Sequence, residues 1–226
     1  MCGRYELHTP VEDLARRFDA ALTDEAAALA PRYNIAPTLR VPVVRAAKRG
    51  RQIEAMTWGL LPSWAKDTTG VKPINARVET VFEKPMFRNA IKRRRCLVPA
   101  DGFYEWRADP AGKQPFHIGM VDDSPFALGG IWEYWAKPDH EPVVSCAILV
   151  TAANALMAKI HDRMPVIVGP EHYADWLDPS LSDPRVIARM LAPFPAEEMR
   201  AYPVSKRVNN ARNEGAELVH PLPGAA

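Results

Sequence analysis

The sequence lacks paired cysteines, long apolar runs and a large excess of either charge. Its 226 residues contain three cysteines, none of them in a Cys-x-x-Cys pair, which argues against a disulfide framework and against a zinc site. No apolar run approaches the roughly 20 residues of a membrane-spanning helix. The opening MCGRYELHTP lacks the apolar core of a signal peptide, so we expect a cytoplasmic protein.

The balance of charge is close to neutral. Lys and Arg total 29 against 27 for Asp and Glu, a net charge of +2, so any affinity for nucleic acid must come from a local patch. The length and the 47% hydrophobic content suit one globular domain. We expect a single domain over residues 1–226, with residues 219–226 forming a loose tail, and we expect no metal or organic cofactor.

Short apolar runs between turn signals predict a sheet-rich fold. The 22 prolines are scattered, which favours short elements. HTPVEDLARRFDA predicts a helix capped by Thr9, and VETVFEKPMFRNAIKRR predicts a helix divided near Pro85. Many strands in series predict an α+β domain on a curved, mainly antiparallel, barrel-like sheet with flanking helices. Cys96 and Cys146 lie in strand-like apolar runs, where free cysteines are usually buried.

The second residue raises a chemical question, because removal of Met1 would make Cys2 the amino terminus. A thiol beside a free α-amine is a 1,2-aminothiol, which condenses with an aldehyde to a thiazolidine. The α-amine has a pKa of about 7.7–8.0, so part of it is neutral and nucleophilic near pH 7. Arg4 is a candidate to favour the thiolate.

The opening residues do not decide between three readings. Cys2 can be an unremarkable second residue. It can also be the nucleophile of a class II glutamine amidotransferase, in which the thiol attacks an amide and the α-amine serves as base. The third reading is the aldehyde capture described above.

Four further motifs favour the third reading: RYNIAPT at 32–38, INARVET at 74–80, PADGFYEWR at 99–107 and IHDRMPVIV at 160–168. With MCGRY and the closing PVSKRVNNARNEGAEL, they closely resemble the SOS response-associated peptidase (SRAP) family, in the same order from residue 2 to about residue 218. That family contains proteins that shield abasic sites in single-stranded DNA by covalent capture.

The resemblance implies an abasic site processing protein that forms a DNA–protein cross-link, with lyase-like chemistry and a suggested cysteine peptidase activity in self-processing. It implies that Cys2 is the nucleophile and that Asn75 orients its amine and the sugar. Glu105 and His161 resemble the acid/base pair. A carboxylate and an imidazole both transfer protons near pH 7, whereas a neutral amide binds an oxygen without titrating.

Each of these residues also has a structural interpretation. Asn75 can cap a helix that starts near Ala76. Glu105 can face outward from an alternating strand, and His161 can sit at a helix end. Only the joint pattern of motifs favours the functional roles.

Binding of single-stranded DNA needs cations for phosphates and flat side chains for bases. We expect phosphate contacts from the motif arginines and base stacking from the tryptophans, although core packing is the alternative for both tryptophans. An asparagine of RYNIAPT is expected to shape the loop near Cys2. The predicted DNA-binding residues are Arg4, Asn34, Trp64, Arg77, Trp106 and Arg163.

The partner implied is single-stranded DNA with abasic sites, bound by a monomer that needs no protein partner or membrane. In the cell such a protein would lie in the cytoplasm and associate with the nucleoid when bound to DNA. Two other functions stay open on the residues alone: an N-terminal-nucleophile hydrolase of the glutamine amidotransferase type, and a non-covalent DNA-binding module.

Overall fold

Five strands close into a barrel at the centre of the computed structural model, which describes residues 2–110 and 112–224. Neighbouring strands pair antiparallel around the barrel, and a parallel pairing of its first and last strands closes it. In order around the ring, the strands are β11 (Val143–Ala152), β10 (Phe126–Trp135), β7 (Arg95–Ala100), β4 (Arg40–Ala46) and β5 (Arg51–Trp58).

Four short strands extend the barrel sheet. A parallel strand lies beside β5, another lies beside β11, and two antiparallel strands pair with β11 and β10. These are β2 (Ala20–Leu22), β6 (Asn75–Arg77), β12 (Arg163–Pro165) and β13 (Ile167–Val168).

A second sheet of five strands is antiparallel throughout. The chain passes from the barrel into this sheet at Asp101, between β7 and β8. The order of its strands is β14 (Met199–Pro203), β9 (Gly112–Met120), β8 (Gly102–Asp109), β1 (Tyr5–Leu7) and β3 (Arg32–Ile35). The expected α+β fold on a curved, mainly antiparallel sheet is confirmed.

The helices are few and short. The structure has α1 (Val11–Phe18), α2 (Asp24–Ala27), α3 (Ala90–Arg93), α4 (Tyr173–Leu177) and α5 (Pro184–Arg189). Single 3₁₀ turns lie at Met157–Lys159, Pro170–His172, Ala196–Glu198, Lys206–Asn209 and Ala216–Val219. Within the described residues, none of the helices is long and apolar enough to cross a membrane.

Two details of the helix predictions were wrong. Thr9 does not cap α1, because its backbone N–H and its hydroxyl both donate to the carboxylate of Asp101. VETVFEKPMFRNAIKRR forms mainly consecutive turns over residues 78–89, and only its end, α3, is helical. Pro85 interrupts this segment because it has no N–H to continue a helical ladder.

The predicted loose tail is tied to the second sheet over most of its length. The Tyr202 hydroxyl donates to the Val219 carbonyl at 2.9 Å, and Val204 bridges Pro221. The Leu222 N–H donates to Pro203 at 2.9 Å. The prediction is therefore corrected for residues 219–222, while Ala225 and Ala226 lie outside the described residues.

The core fills the barrel and the space between the two sheets. Strands β10 and β11 are buried along most of their length, as expected for strands covered on both faces. Cys96 on β7 and Cys146 on β11 are fully buried in the barrel and form no disulfide, which confirms that they pack as small apolar residues. This rigid core carries the shorter strands at the barrel's end.

A buried carboxylate joins β1 to β9. Glu6 is 2% exposed, and its two oxygens accept hydrogen bonds of 2.9 Å from His8 Nδ1 and His117 Nε2. Burial by itself raises the pKa of Glu6, but the bonds from His117 and His8 outweigh it, so this pKa lies below its ordinary 4.5. The bond to Glu6 raises the pKa of His8 above 6.5, against the effect of burial. The absence of a side chain at Gly102 makes space for the His117 ring, because a Cβ there would lie 2.2 Å from His117 Nε2.

We predict that Glu6→Gln lowers the free energy of unfolding by about 1.5–3 kcal/mol, the range for a hydrogen bond to a charged group. The contribution of Glu6 is complete above pH 4.5 and is lost as the pH falls through its lower folded-state pKa. That of His8 is complete below pH 6.5 and is lost as the pH rises through its raised pKa. The difference from wild type should therefore be largest at about pH 5–6.5.

Urea unfolding at a series of pH values measures this difference. Glu141→Gln, on the exposed connection between β10 and β11, is the control and should leave stability unchanged. Equal stability of Glu6→Gln and wild type at every pH would contradict the role assigned to this carboxylate.

Candidate functional site

Strand β11 brings together two motifs that lie far apart in the sequence. On one side it pairs in parallel with β6, where Val150 lies opposite Arg77. On its other side it pairs with β12, where Ala152 lies opposite Arg163. INAR and IHDRMP therefore meet at the same end of the barrel.

The second sheet brings Cys2 to this place. In β1 and β8, Tyr5 lies opposite Phe103, and the Tyr104 N–H donates to the Arg4 carbonyl at 2.9 Å. An antiparallel register continued from there places the residues just before β1 beside Glu105. The predicted nucleophile and the predicted carboxylate are thus neighbours across two strands.

The Cys2 side chain is shielded from solvent and is 0% exposed. Burial raises the pKa of the Cys2 thiol well above its ordinary value, and the charge of Glu105 raises it further, whereas a hydrogen bond from the backbone N–H of Arg4 lowers it. The thiol is therefore neutral at pH 7 and needs a base before it can act as a nucleophile.

Asn75 holds Cys2 by the main chain. Its Nδ2 donates to the Cys2 carbonyl oxygen at 2.8 Å. Asn75 begins β6, so the alternative that it caps a helix near Ala76 is wrong. Among the described residues its buried Oδ1 has no hydrogen-bond partner. A buried amide oxygen of this kind is ready to accept one hydrogen bond from a ligand or a new amine.

The Glu105 pocket is an open depression of about 400 Å³ beside Cys2, lined by Glu105, Trp106, Lys113, His161 and Asn209. Glu105 is 3% exposed, so the alternative that it faces outward into solvent is wrong. The two predicted proton-transfer residues therefore line one cavity.

His161 has a partner at Nδ1 in either charge state. The Arg163 backbone N–H donates to Nδ1 at 3.0 Å, and the Asp162 carboxylate lies 2.9 Å from the same atom. These contacts exclude each other, since one needs a bare nitrogen and the other needs a proton on it. For the neutral ring we assign the backbone bond, because the Asp162 side chain is 84% exposed. A proton on Nδ1 would therefore exchange the bond from Arg163 for one to Asp162.

A second cavity, which we name the Trp64 groove, is lined in part by Asn75. It has a volume of about 520 Å³ and is lined by Trp64, Pro73, Asn75, Arg77, Lys84, Pro85, Met86 and Phe87. Trp64 is 59% exposed and Arg77 is exposed, so the core-packing alternative for Trp64 is wrong. A flat ring and two cations along an apolar floor suit a nucleic-acid strand.

The other four predicted DNA-binding residues are less exposed. Arg163 forms an ion pair with Glu79, and Trp106 donates from Nε1 to Asn209 Oδ1 at 2.7 Å. Asn34 is fully buried, so direct contact with DNA would require it to leave its site. Arg4 donates to the Asn34 amide oxygen at 2.8 Å.

The sequence analysis missed three polar side chains that line the two cavities. Lys113 and Asn209 reach the Glu105 pocket from the start of β9 and from the 3₁₀ turn Lys206–Asn209. Lys84 reaches the Trp64 groove from the turns that were predicted as helix. The motif RVNNARN signalled that residue 209 matters, but no local pattern pointed to either lysine.

In the described part of the chain, no group of three or more His, Cys, Asp or Glu residues has an arrangement that could hold a metal ion. A further cavity of about 430 Å³ lies beside Arg17, Phe126, Tyr173 and Phe194, and none of the predicted catalytic or DNA-binding residues lines it. The chemistry is therefore concentrated around Cys2.

The sequence model of the SOS response associated peptidase (SRAP) family matches residues 1–211. With this match over most of its length, the chain belongs to the SRAP family.

Several curated relatives carry the name abasic site processing protein. YoqW of Bacillus subtilis (strain 168) is 40% identical over 221 residues, which cover 97% of this chain and 99% of that protein. YedK of Escherichia coli (strain K12) is 30% identical over 98% of this chain and 100% of that protein. HMCES of Xenopus tropicalis is 31% identical over 84% of this chain and 65% of that protein.

A crystal structure of a protein from Bacteroides thetaiotaomicron has a TM-score of 0.89 and 29% identity, and the match covers 98% of this chain and 100% of that chain. The fold is therefore that of a solved protein over nearly its whole length.

We predict that Asn75→Ala loosens the segment before β1. Loss of one buried hydrogen bond, about 0.5–1.5 kcal/mol, should raise the rate of Cys2 alkylation by iodoacetamide about 2- to 10-fold. Peptide mass spectrometry locates the label, and Cys96 and Cys146 inside the barrel serve as internal controls. An unchanged Cys2 rate, or an equal rise at all three thiols, would contradict the assigned role of Asn75.

Proposed function

We propose that the protein captures abasic sites in single-stranded DNA by a covalent thiazolidine bond to Cys2, after Met1 has been removed. Relatives that carry the name abasic site processing protein support a role in handling damaged DNA. We place this activity in the cytoplasm, on the chromosome, in a monomer. A peptidase activity enters the proposal only as self-processing, in which water hydrolyses the Met1–Cys2 bond and releases methionine.

The observation that carries the proposal is the convergence of three side chains around residue 2. Asn75 binds the Cys2 carbonyl at 2.8 Å, the charge of Glu105 acts on the Cys2 thiol, and His161 lines the same pocket as Glu105. An internal cysteine needs none of this, since its nitrogen is an amide. The arrangement suits a terminal residue that uses both its nitrogen and its sulfur.

The reaction balances without a cofactor. The open form of the abasic sugar is an aldehyde, to which the neutral α-amine adds to give a carbinolamine. Loss of water gives an imine. The sulfur then forms a bond to the former aldehyde carbon, and the C=N double bond becomes single. A base carries the thiol proton to the nitrogen, which becomes a secondary amine. The net reaction releases one water and leaves a five-membered ring made of the N, Cα, Cβ and Sγ atoms of Cys2 and the former aldehyde carbon.

The burial of the thiol sets the order of these steps. Because burial and Glu105 raise the pKa of the Cys2 thiol, the amine attacks first and the sulfur follows once a base removes its proton. Glu105 lies close enough to influence the thiol and is our candidate for that base. His161, held at Nδ1 in both charge states, is our candidate to transfer protons to and from the sugar oxygen and the nitrogen.

The two cavities give the DNA a path. Asn75 lines the Trp64 groove and Glu105 lines the Glu105 pocket, and both of these side chains act on Cys2. We propose that bases flanking the lesion stack on Trp64 and Trp106. Arg77, which is exposed in the groove, would bind a phosphate.

We predict that Cys2→Ser forms no stable adduct, because an alcohol is a poor thiazolidine former. At most it gives a labile imine through the α-amine, which borohydride would trap. A chain with an uncleaved tag before Cys2 should bind single-stranded DNA but form no cross-link. Denaturing electrophoresis with an abasic oligonucleotide measures both.

Cys146→Ser is the matched control, since that thiol is buried in the barrel, and it should cross-link like wild type if it folds. Stable adduct from Cys2→Ser, or from the tagged chain, would overturn the thiazolidine proposal. An amidotransferase or a non-covalent binding module would give no adduct with wild type.

We predict that Glu105→Gln and His161→Ala each slow cross-linking by about 10²–10⁴-fold, the usual contribution of general acid–base assistance. Affinity for DNA should change little, because neither residue is proposed to bind a phosphate. Glu105→Gln should slow the reaction more, since Gln takes up no proton. With Glu105→Gln an imine should accumulate before ring closure, because the thiol keeps its proton.

Single-turnover cross-linking from pH 5 to 9 gives the rates, and binding to an uncleavable abasic analogue gives the affinities. Wild-type rates for both variants at every pH would assign these residues to structure and contradict their catalytic roles.

A further inference from the structure

Arg4 uses its guanidinium inside the protein. Its Nη1 donates to Asn34 Oδ1 at 2.8 Å and to the Val208 carbonyl oxygen at 2.9 Å. Burial lowers the pKa of Arg4 below its ordinary value. The Arg4 side chain therefore connects the segment next to Cys2 to distant parts of the chain.

Asn34 completes a clamp on the same part of the chain. Its Nδ2 donates to the carbonyl oxygens of Asn210 at 3.1 Å and Asn213 at 2.9 Å. A guanidinium has no acceptor, so turning the amide over would set its N–H groups against those of Arg4. The network thus fixes the orientation of Asn34 and holds residues 208–213, which we name the C-terminal loop.

The C-terminal loop leads back to the Glu105 pocket. Asn209 of this loop accepts a hydrogen bond of 2.7 Å from Trp106 Nε1, and both residues line the pocket with His161. Trp106 also packs against Val208 and its neighbours. The position of the Trp106 indole therefore depends on the position of the loop.

We infer that Arg4 and Asn34 are positioning residues: they hold the C-terminal loop so that Asn209 fixes the Trp106 indole as a wall of the Glu105 pocket. The inference rests on the proposed function, since that wall acts on DNA only if the pocket receives a nucleotide. It replaces direct DNA contact by Arg4 and Asn34 with action through Trp106.

A first test needs no DNA. The chain has six tryptophans, whose indole N–H groups are observed by ¹⁵N NMR, and Trp106→Phe assigns the Trp106 signal. Asn34→Asp keeps the acceptor for Arg4 but removes both donations to the loop. We expect the Trp106 signal to shift and its exchange with water to become several-fold faster, while the other indole signals stay in place.

Asn154→Asp is the matched control, because Asn154 Nδ2 also donates to a backbone carbonyl, that of Phe194, and its Oδ1 also accepts, from the Met157 N–H, but neither partner belongs to the C-terminal loop. It should leave the Trp106 signal unchanged. Arg4→Met provides a second variant, with the same expected shift, should Asn34→Asp fail to fold. An unmoved Trp106 signal in the folded variant would overturn the clamp.

A second test measures affinity for a single strand that contains an uncleavable tetrahydrofuran analogue of the abasic site. We expect Asn34→Asp to weaken binding about 5- to 30-fold, of the order of one lost base stack. In a Trp106→Phe background the same change should add less than about twofold, because both act through one contact. Additive effects would contradict the inference.

The salt dependence of binding separates positioning from phosphate contact. A lost phosphate contact lowers the slope of log K against log salt by about one. We expect that loss for Arg77→Ala and an unchanged slope for Arg4→Met. A slope lowered by Arg4→Met would return Arg4 to direct DNA contact and overturn the inference.

Neither test involves a covalent step. If wild type binds the analogue but forms no cross-link with an abasic strand, the thiazolidine proposal fails and the clamp is still measured. If wild type cross-links but the Trp106 NMR signal does not change in the Asn34 and Arg4 variants, only the clamp inference fails.

Discussion

The site depends on one hydrogen bond, which Asn75 Nδ2 donates to the Cys2 carbonyl oxygen at 2.8 Å. It ties the first described residue of the chain to β6, and β6 is held by β11 of the closed barrel. A chain terminus is ordinarily the least ordered part of a domain. Here a closed barrel, which leaves no strand free to slip, holds Cys2 in place through Asn75. Reactive groups can be positioned at a terminus only because the tether is rigid.

Burial then decides how the positioned groups behave. The fully buried thiol of Cys2 has a raised pKa, and Glu105 raises it further, so the sulfur is inert until a base acts on it. The same burial leaves Asn75 Oδ1 without a partner among the described residues, a cost that binding a ligand or an amine would offset. A site of this kind is protected from casual alkylation and oxidation. Glu105 is also already close to the one proton that our proposal requires it to remove, the proton of the Cys2 thiol.

Much of this was predictable from the sequence, and the failures have physical causes. The strands were predicted because alternating apolar runs carry their information locally, whereas the roles of Cys2, Asn75, Glu105 and His161 come from the resemblance to the SRAP family and stay predictions. The helix over residues 78–89 was wrong because Pro85 and tertiary packing favour turns there. Lys113 and Asn209 were missed because only the pairing of β8 with β9 and the return of the C-terminal loop bring them to the pocket. Asn34 was taken as a DNA-binding residue, although its hydrogen bonds to residues 210 and 213 exist only in the folded chain.

The most direct test of the central claim is the intact mass of the protein after incubation with a single strand that contains one abasic site. The account predicts a species with the mass of the chain without Met1 plus the oligonucleotide minus one water, and tandem mass spectrometry should place the link on Cys2. Recovery of only the separate protein and DNA masses would contradict it, as would an adduct on a chain that retains Met1.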